Sequence, residues 1–118
     1  MSREMEKLIV KRGAMLAELT SFNNFVASIR RNIEQGISID DTLYCELNIR
    51  VNQIDKLLQE FEDIQTSIEC SSKSDNIEEQ YLERAKLTDN YFSSIAIAKN
   101  MLANTNKNLA NSSESFNV

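Results

Sequence analysis

The chain has 118 residues and a net charge of −5, with 42% apolar and 26% charged residues, no Pro, no His, no Trp and two Gly. So few turn-forming residues exclude a many-stranded β protein and predict an all-α domain, an elongated antiparallel three-helix bundle with coiled-coil-like packing and a disordered polar C-terminal tail. His is the commonest general base and metal ligand, and two Cys are too few for a structural zinc site. We therefore expect no enzyme: no catalytic residues, no cofactor, no metal and no small-molecule substrate.

The first predicted helix spans about residues 3–35 and is the most basic segment of the chain. Its apolar residues recur in alternating steps of three and four, the spacing of helices that pack side by side. The seam positions are Met5, Leu8, Arg12, Met15, Leu19, Phe22, Val26, Ile29 and Ile33. Its surplus of basic residues has two interpretations: a solvated face that pairs with the acidic helices beside it, or a surface for nucleic acid or an anionic membrane. That basic surface would comprise Lys7, Lys11, Arg12, Arg30 and Arg31.

The second predicted helix spans about residues 39–70 and follows a short break. Gly36 suits the left-handed position just after a helix end, and Ser38 with Asp41 offers a cap for the next helix. The seam positions of this helix are Leu43, Leu47, Arg50, Ile54, Leu57, Phe61, Ile64 and Ile68. The regular spacing again predicts a helix that packs along its whole length.

The third predicted helix spans about residues 75–103, after a Ser-rich break in which Asp75 with Glu78 can cap it. Its seam positions are Ile77, Tyr81, Arg84, Thr88, Tyr91, Ile95, Ala98 and Leu102. Further apolar residues spread around this helix and make its inward face less definite: Leu82, Ala85, Leu87, Phe92 and Ile97. Residues 104–118 are rich in Asn and Ser and poor in apolar residues, so we expect a flexible tail there.

Both breaks are only about five residues long, so neighbouring helices must be antiparallel and residues 1–103 form one bundle. Five further apolar positions flank the seams: Ile9, Leu16, Tyr44, Val51 and Leu58. Two explanations stay open for them. A helix that touches two others needs a wider apolar face than a two-stranded seam, or part of this surface is exposed and joins two copies. Under the second explanation these five are the predicted interaction residues.

One arginine interrupts each seam: Arg12, Arg50 and Arg84. We expect their stems to cover the core while their charged ends stay in water, with a neighbouring residue taking the inward place. The alternative is a polar layer that sets the helix register or the choice of partner.

The two cysteines and the lack of a long apolar run point to an intracellular, cytoplasmic protein. No stretch approaches the roughly 18 to 20 apolar residues that span a bilayer, and the N-terminus has no signal-peptide pattern. Cys45 and Cys70 on one helix would lie nearly 40 Å apart, too far to bridge each other. We expect two reduced, partly buried thiols, and the alternative is an intermolecular disulfide.

Several runs of the sequence also resemble a known family. They are Arg12 through Thr20 with Phe22 and Phe25, Arg50-Val51, Leu57-Leu58 into Phe61-Glu62, Gln65 with Ile68-Glu69, and Tyr91-Phe92. Over about residues 5–102 the chain resembles the N-terminal helical domain of Gag-like proteins of BEL/Pao-type LTR retrotransposons. The resemblance implies self-association and placement of an assembling shell, and it implies no catalytic residues. Because zinc-knuckle and protease motifs are missing from the sequence, it implies an excised domain or a domesticated remnant.

The sequence therefore predicts a noncatalytic, Gag-derived helical module for protein–protein interaction or self-assembly. Its expected partner is a second copy of the chain or another helical protein. The alternative function is binding of nucleic acid or an anionic membrane through the basic first helix.

Overall fold

The computed structural model describes residues 2–72 and 76–116, with side chains as far as Asn106, as three long helices. They are α1 (Arg3–Glu34), α2 (Asp41–Ser71) and α3 (Ile77–Phe116). The principal extents are 67 × 24 × 19 Å, so the molecule is a rod. Side-chain contacts link Arg12 to Gln65 at one end and Arg50 to Phe25 nearer the other, so α2 runs antiparallel to α1. The predicted elongated antiparallel three-helix bundle is confirmed.

The helix ends follow from local hydrogen bonding. The Ser2 hydroxyl caps α1 by accepting from the Met5 N–H at 3.1 Å. At the other end of α1, Gly36 has φ +84°, and the Gly36 and Ile37 N–H groups donate back to the carbonyls of Ile33 and Asn32 at 3.0 and 2.8 Å. This is the predicted left-handed glycine end in its Schellman form, which satisfies two carbonyls that the helix leaves open.

The α2 helix begins at Asp41, two residues later than predicted. Its N-cap is Asp40, whose carboxylate accepts from the Leu43 N–H at 2.8 Å, and not Ser38. A carboxylate at this position also faces the positive end of the helix dipole. The proposed cap at Asp75 lies outside the described residues.

The core is a continuous column of apolar side chains contributed by all three helices. Its buried members are Met15, Leu19, Phe22, Val26 and Ile29 from α1, Leu47, Val51, Ile54, Leu57, Phe61 and Ile68 from α2, and Leu87, Tyr91, Ile95, Ala98 and Met101 from α3. Burial of each large side chain stabilises the fold by about 1.5–3 kcal/mol. The α1 members match the predicted seam from Met15 to Ile29, whereas Ile33 is exposed.

In α2 and α3 the inward face differs from the predicted seam by one residue at several levels. Val51 is buried where the seam placed Arg50, and Gln65 is buried where it placed Ile64. On α3, Leu87 is buried and Tyr81 is exposed. The physical reason is that a helix packed between two others buries a wide face, so heptad spacing alone leaves a choice between adjacent positions.

The third helix runs beyond the predicted boundary at residue 103 and reaches Phe116. Side chains from residue 107 onward lie outside the described residues, and the flexible tail over 104–118 stays a prediction. Among the described residues, none of the three helices is both long and apolar enough to cross a membrane.

Candidate interaction surface

The five predicted interaction residues do not form an exposed patch. Val51 is 3% exposed and belongs to the core, so its assignment as a surface contact is wrong. Leu16 and Leu58 are half-buried and pack against the core. Ile9 and Tyr44 are also half-buried. The wide apolar faces of a three-helix bundle account for Leu16, Val51 and Leu58 without a second copy.

The basic residues of α1 do not gather into one surface. The Arg12 guanidinium turns toward the other helices, where it donates to Gln65 and Gln80. Lys7 and Lys11 are exposed near the start of α1, and Arg30 and Arg31 are exposed near its end. A rise of about 1.5 Å per residue separates the two pairs by roughly 30 Å.

A group of polar side chains joins all three helices near one end of the rod, and we call it the polar cluster. Its members are Arg12, Glu62, Gln65, Glu69, Gln80 and Arg84. Gln65 is fully buried, and its Oε1 accepts from Arg12 Nη1 at 3.1 Å. Its Nε2 donates to the backbone carbonyl of Gln80 at 3.0 Å and to the Glu69 carboxylate at 3.2 Å. These bonds satisfy a buried amide that would otherwise be costly.

Arg84 forms the charged half of the polar cluster. Its Nε and Nη2 donate to the two Glu69 oxygens at 2.9 and 2.8 Å, and Nη1 donates to Glu62 at 2.6 Å. The bidentate bonds from Arg84 lower the pKa of the Glu69 carboxyl, and burial opposes that shift. The bonds that Arg84 donates to Glu69 raise the pKa of the Arg84 guanidinium. For Arg12 and Arg84 the predicted free charged ends are therefore wrong, and the polar-layer alternative describes them.

The third seam arginine stays near the surface. The Arg50 guanidinium lies over the Phe25 ring, 4.2 Å from its centre, and forms an ion pair with Glu46 at 2.9 Å. Val51 takes the inward place beside it, as predicted.

Three further hydrogen bonds fix α3 against its neighbours at mid-length. The Tyr91 hydroxyl donates to Asp55 on α2 at 2.6 Å, and burial together with this bond raises the pKa of Tyr91 to about 12. On the other side, Asn23 of α1 donates to Asn90 at 2.7 Å and accepts from the hydroxyl of Ser94. The rotation of α3 about its own axis is thereby set from both sides.

With that rotation fixed, a second heptad repeat points away from the core, and we call it the α3 outer face. Its members are Leu82, Ala85, Asp89, Phe92, Ala96, Lys99 and Ala103, and all are exposed. Leu82 is 65% and Phe92 54% exposed, and the Phe92 ring rests edge-on against Tyr91. Steps of three and four continue without a break over about 32 Å. The signal was present in the sequence as the apolar spread around this helix.

Among the side chains that the structure describes, within residues 2–72 and 76–106, no three Cys, Asp or Glu are grouped to hold a metal ion. Cys45 and Cys70 are both free and exposed, so the prediction of partly buried thiols is wrong. Comparison with known proteins found no matching family model, no matching curated protein and no matching solved structure.

Proposed function

We propose that this protein is a noncatalytic helical interaction module that associates through the α3 outer face. The observation that carries the proposal is a second line of residues at heptad spacing whose two large apolar members, Leu82 and Phe92, are more than half exposed, and in which Asp89 and Lys99 are the charged positions. The inner face of α3 already packs against the other two helices, so a second apolar face adds nothing to the stability of the single chain. Such a face is typical of helices that pack against another helix.

The partner in this proposal is a second copy of the chain or another helical protein. The Gag-like ancestry is a separate proposal that rests on the sequence resemblance alone. The alternative surface for nucleic acid or anionic membranes has less support, because Arg12 is engaged inside the polar cluster and the other basic residues lie at opposite ends of α1.

Light scattering coupled to size exclusion, over a concentration series, tests the proposal in its self-associating form. We expect the mass to rise from 13.5 kDa toward twice that value. Phe92→Glu removes the largest apolar group of the α3 outer face and should hold the protein at the mass of one chain. A mass that stays near 13.5 kDa at every concentration in the unmodified protein contradicts self-association.

The matched control is Val10→Glu, because Val10 is 73% exposed but lies on α1, away from the α3 outer face. It introduces the same charge at a position that is even more exposed than Phe92 and should leave the mass profile unchanged. Leu58 is unsuitable as a test position because it packs against the core, where a charge would destabilise the fold itself.

A further inference from the structure

We propose that two copies of this chain pair through their α3 outer faces in an antiparallel register in which facing residue numbers sum to 188. This inference rests on the proposed function and adds the partner, the orientation and the register. The seven positions of the face alternate between a and d, the two inward sites of a heptad. In an antiparallel pair, each a residue of one copy faces a d residue of the second copy.

The charges on the face select the orientation. Asp89 and Lys99 are its two charged members, and both are exposed. A parallel pair would place Asp89 opposite Asp89 of the second copy and Lys99 opposite Lys99 of the second copy, which is repulsive. In the antiparallel register centred near residue 94, Asp89 faces Lys99 of the second copy, and the two-fold axis repeats this pair.

The sizes of Phe92, Ala96, Ala85 and Ala103 fit the same register, in which Leu82 lies opposite the exposed Asn106 of the second copy. Phe92 faces Ala96 of the second copy, so a large ring meets a small side chain. Ala85 faces Ala103 of the second copy, which lets the helix axes approach to about 8 Å. A shift of one heptad toward the start of the helix places Asp89 against Phe92 of the second copy and leaves the charge without its partner.

The intramolecular contact of Lys99 is compatible with this arrangement. Its ammonium group lies 3.6 Å from Asp55, while the side chain remains 58% exposed. An exposed pair of this kind is weak, so Lys99 can approach Asp89 of the second copy with little loss. The Asp55 carboxylate keeps its bond from Tyr91.

Cysteine cross-linking in the full chain tests the register. Cys45 and Cys70 are first replaced by Ser, because both are exposed and would react. Ala85→Cys and Ala103→Cys are then made singly and together. The two positions lie about 27 Å apart on one helix and cannot bridge within a chain.

Under mild oxidation, we expect the double variant to give covalent dimers on a nonreducing gel, at least about tenfold more than either single variant. Phe92→Glu in the same background should abolish the cross-link, because it places a charge against Ala96 of the second copy. Cross-linking of the single variants to the same extent would overturn the antiparallel register. A dimer by light scattering without this cross-link would overturn the register and leave the proposed function standing, whereas a monomer at every concentration would overturn both the pairing and the self-associating form of the proposed function.

Discussion

Replacement of Glu69 by Gln isolates the charged half of the polar cluster. Glu69 accepts two bonds from Arg84 and one from Gln65, and its side chain is 13% exposed. Hydrogen bonds to charged groups are each worth about 1.5–3 kcal/mol, and Gln keeps one of the two acceptor oxygens. We therefore expect Glu69→Gln to lower the free energy of unfolding by about 2 kcal/mol at pH 7.

The stabilisation that Glu69 contributes should depend on pH. Because Arg84 depresses the folded-state pKa of Glu69, the stabilisation is present above the usual pKa of a glutamate and is lost as the pH falls through the lowered value. Urea unfolding of both proteins from pH 7 to pH 2 measures it. The difference between the wild type and Glu69→Gln should shrink as the pH falls.

The control is Glu46→Gln, which removes a similar ion pair at the surface. Glu46 and Arg50 are spaced i, i+4, with side chains 45% and 39% exposed. Such pairs contribute only about 0.3–0.5 kcal/mol. Equal losses in the two variants, or a difference for Glu69→Gln that is the same at low and neutral pH, would refute the reasoning.

Three further predictions concern backbone, titration and charge. Gly13→Ala should raise the free energy of unfolding by about 0.5–1 kcal/mol, because Gly13 is in mid-helix and nothing lies within 4 Å of the added carbon. Gly36→Ala should lower the free energy of unfolding by about 1 kcal/mol, because Gly36 has φ +84°. Urea unfolding measures both changes. Stability should fall as the pH rises from about 10 through the raised pKa of about 12 at Tyr91, and Tyr91→Phe should lose this dependence in alkaline unfolding titrations. Gel shifts and liposome flotation at low salt should show no binding that depends on Lys7 and Lys11; binding lost in their double Ala variant would revive the alternative function.

The sequence was sufficient for the architecture because heptad spacing and short breaks are local signals. One periodic pattern was enough to predict that the α1 residues from Met15 to Ile29 face the core, and the conformational freedom of Gly36 was enough to predict the end of α1. The polar cluster could not be predicted from local signals in the same way. Gln65 is tolerable in the core only because Arg12 and Gln80, distant in sequence, arrive beside its amide.

The sequence showed the apolar spread around α3 but could not separate its outer face from its inner face, for a related reason. Apolar residues of α3 occupy two opposite faces, and spacing alone does not say which face is inside. The structure buries Leu87 and Ile95 and leaves Leu82 and Phe92 in solvent. Successive residues of a helix are about 100° apart around its axis, so turning α3 by that angle exchanges an inner position with its neighbour. Which face of α3 lies inside therefore depends on contacts from the other helices.

The polar contacts therefore have a consequence for association as well as for the fold. The bonds of Gln65 to Arg12 and Gln80 act as a register device, which is the best-attested role of buried polar groups between helices. Gln65→Leu keeps similar volume but removes the bonds to Arg12 and Glu69, both charged, so we expect the free energy of unfolding to fall by about 1–3 kcal/mol and the rotational setting of α3 to loosen. In the cysteine experiment, this variant should reduce the ratio of cross-linking in the double variant to that in the single variants. An unchanged ratio would show that Tyr91 and Ser94 hold the helix without help from the polar cluster.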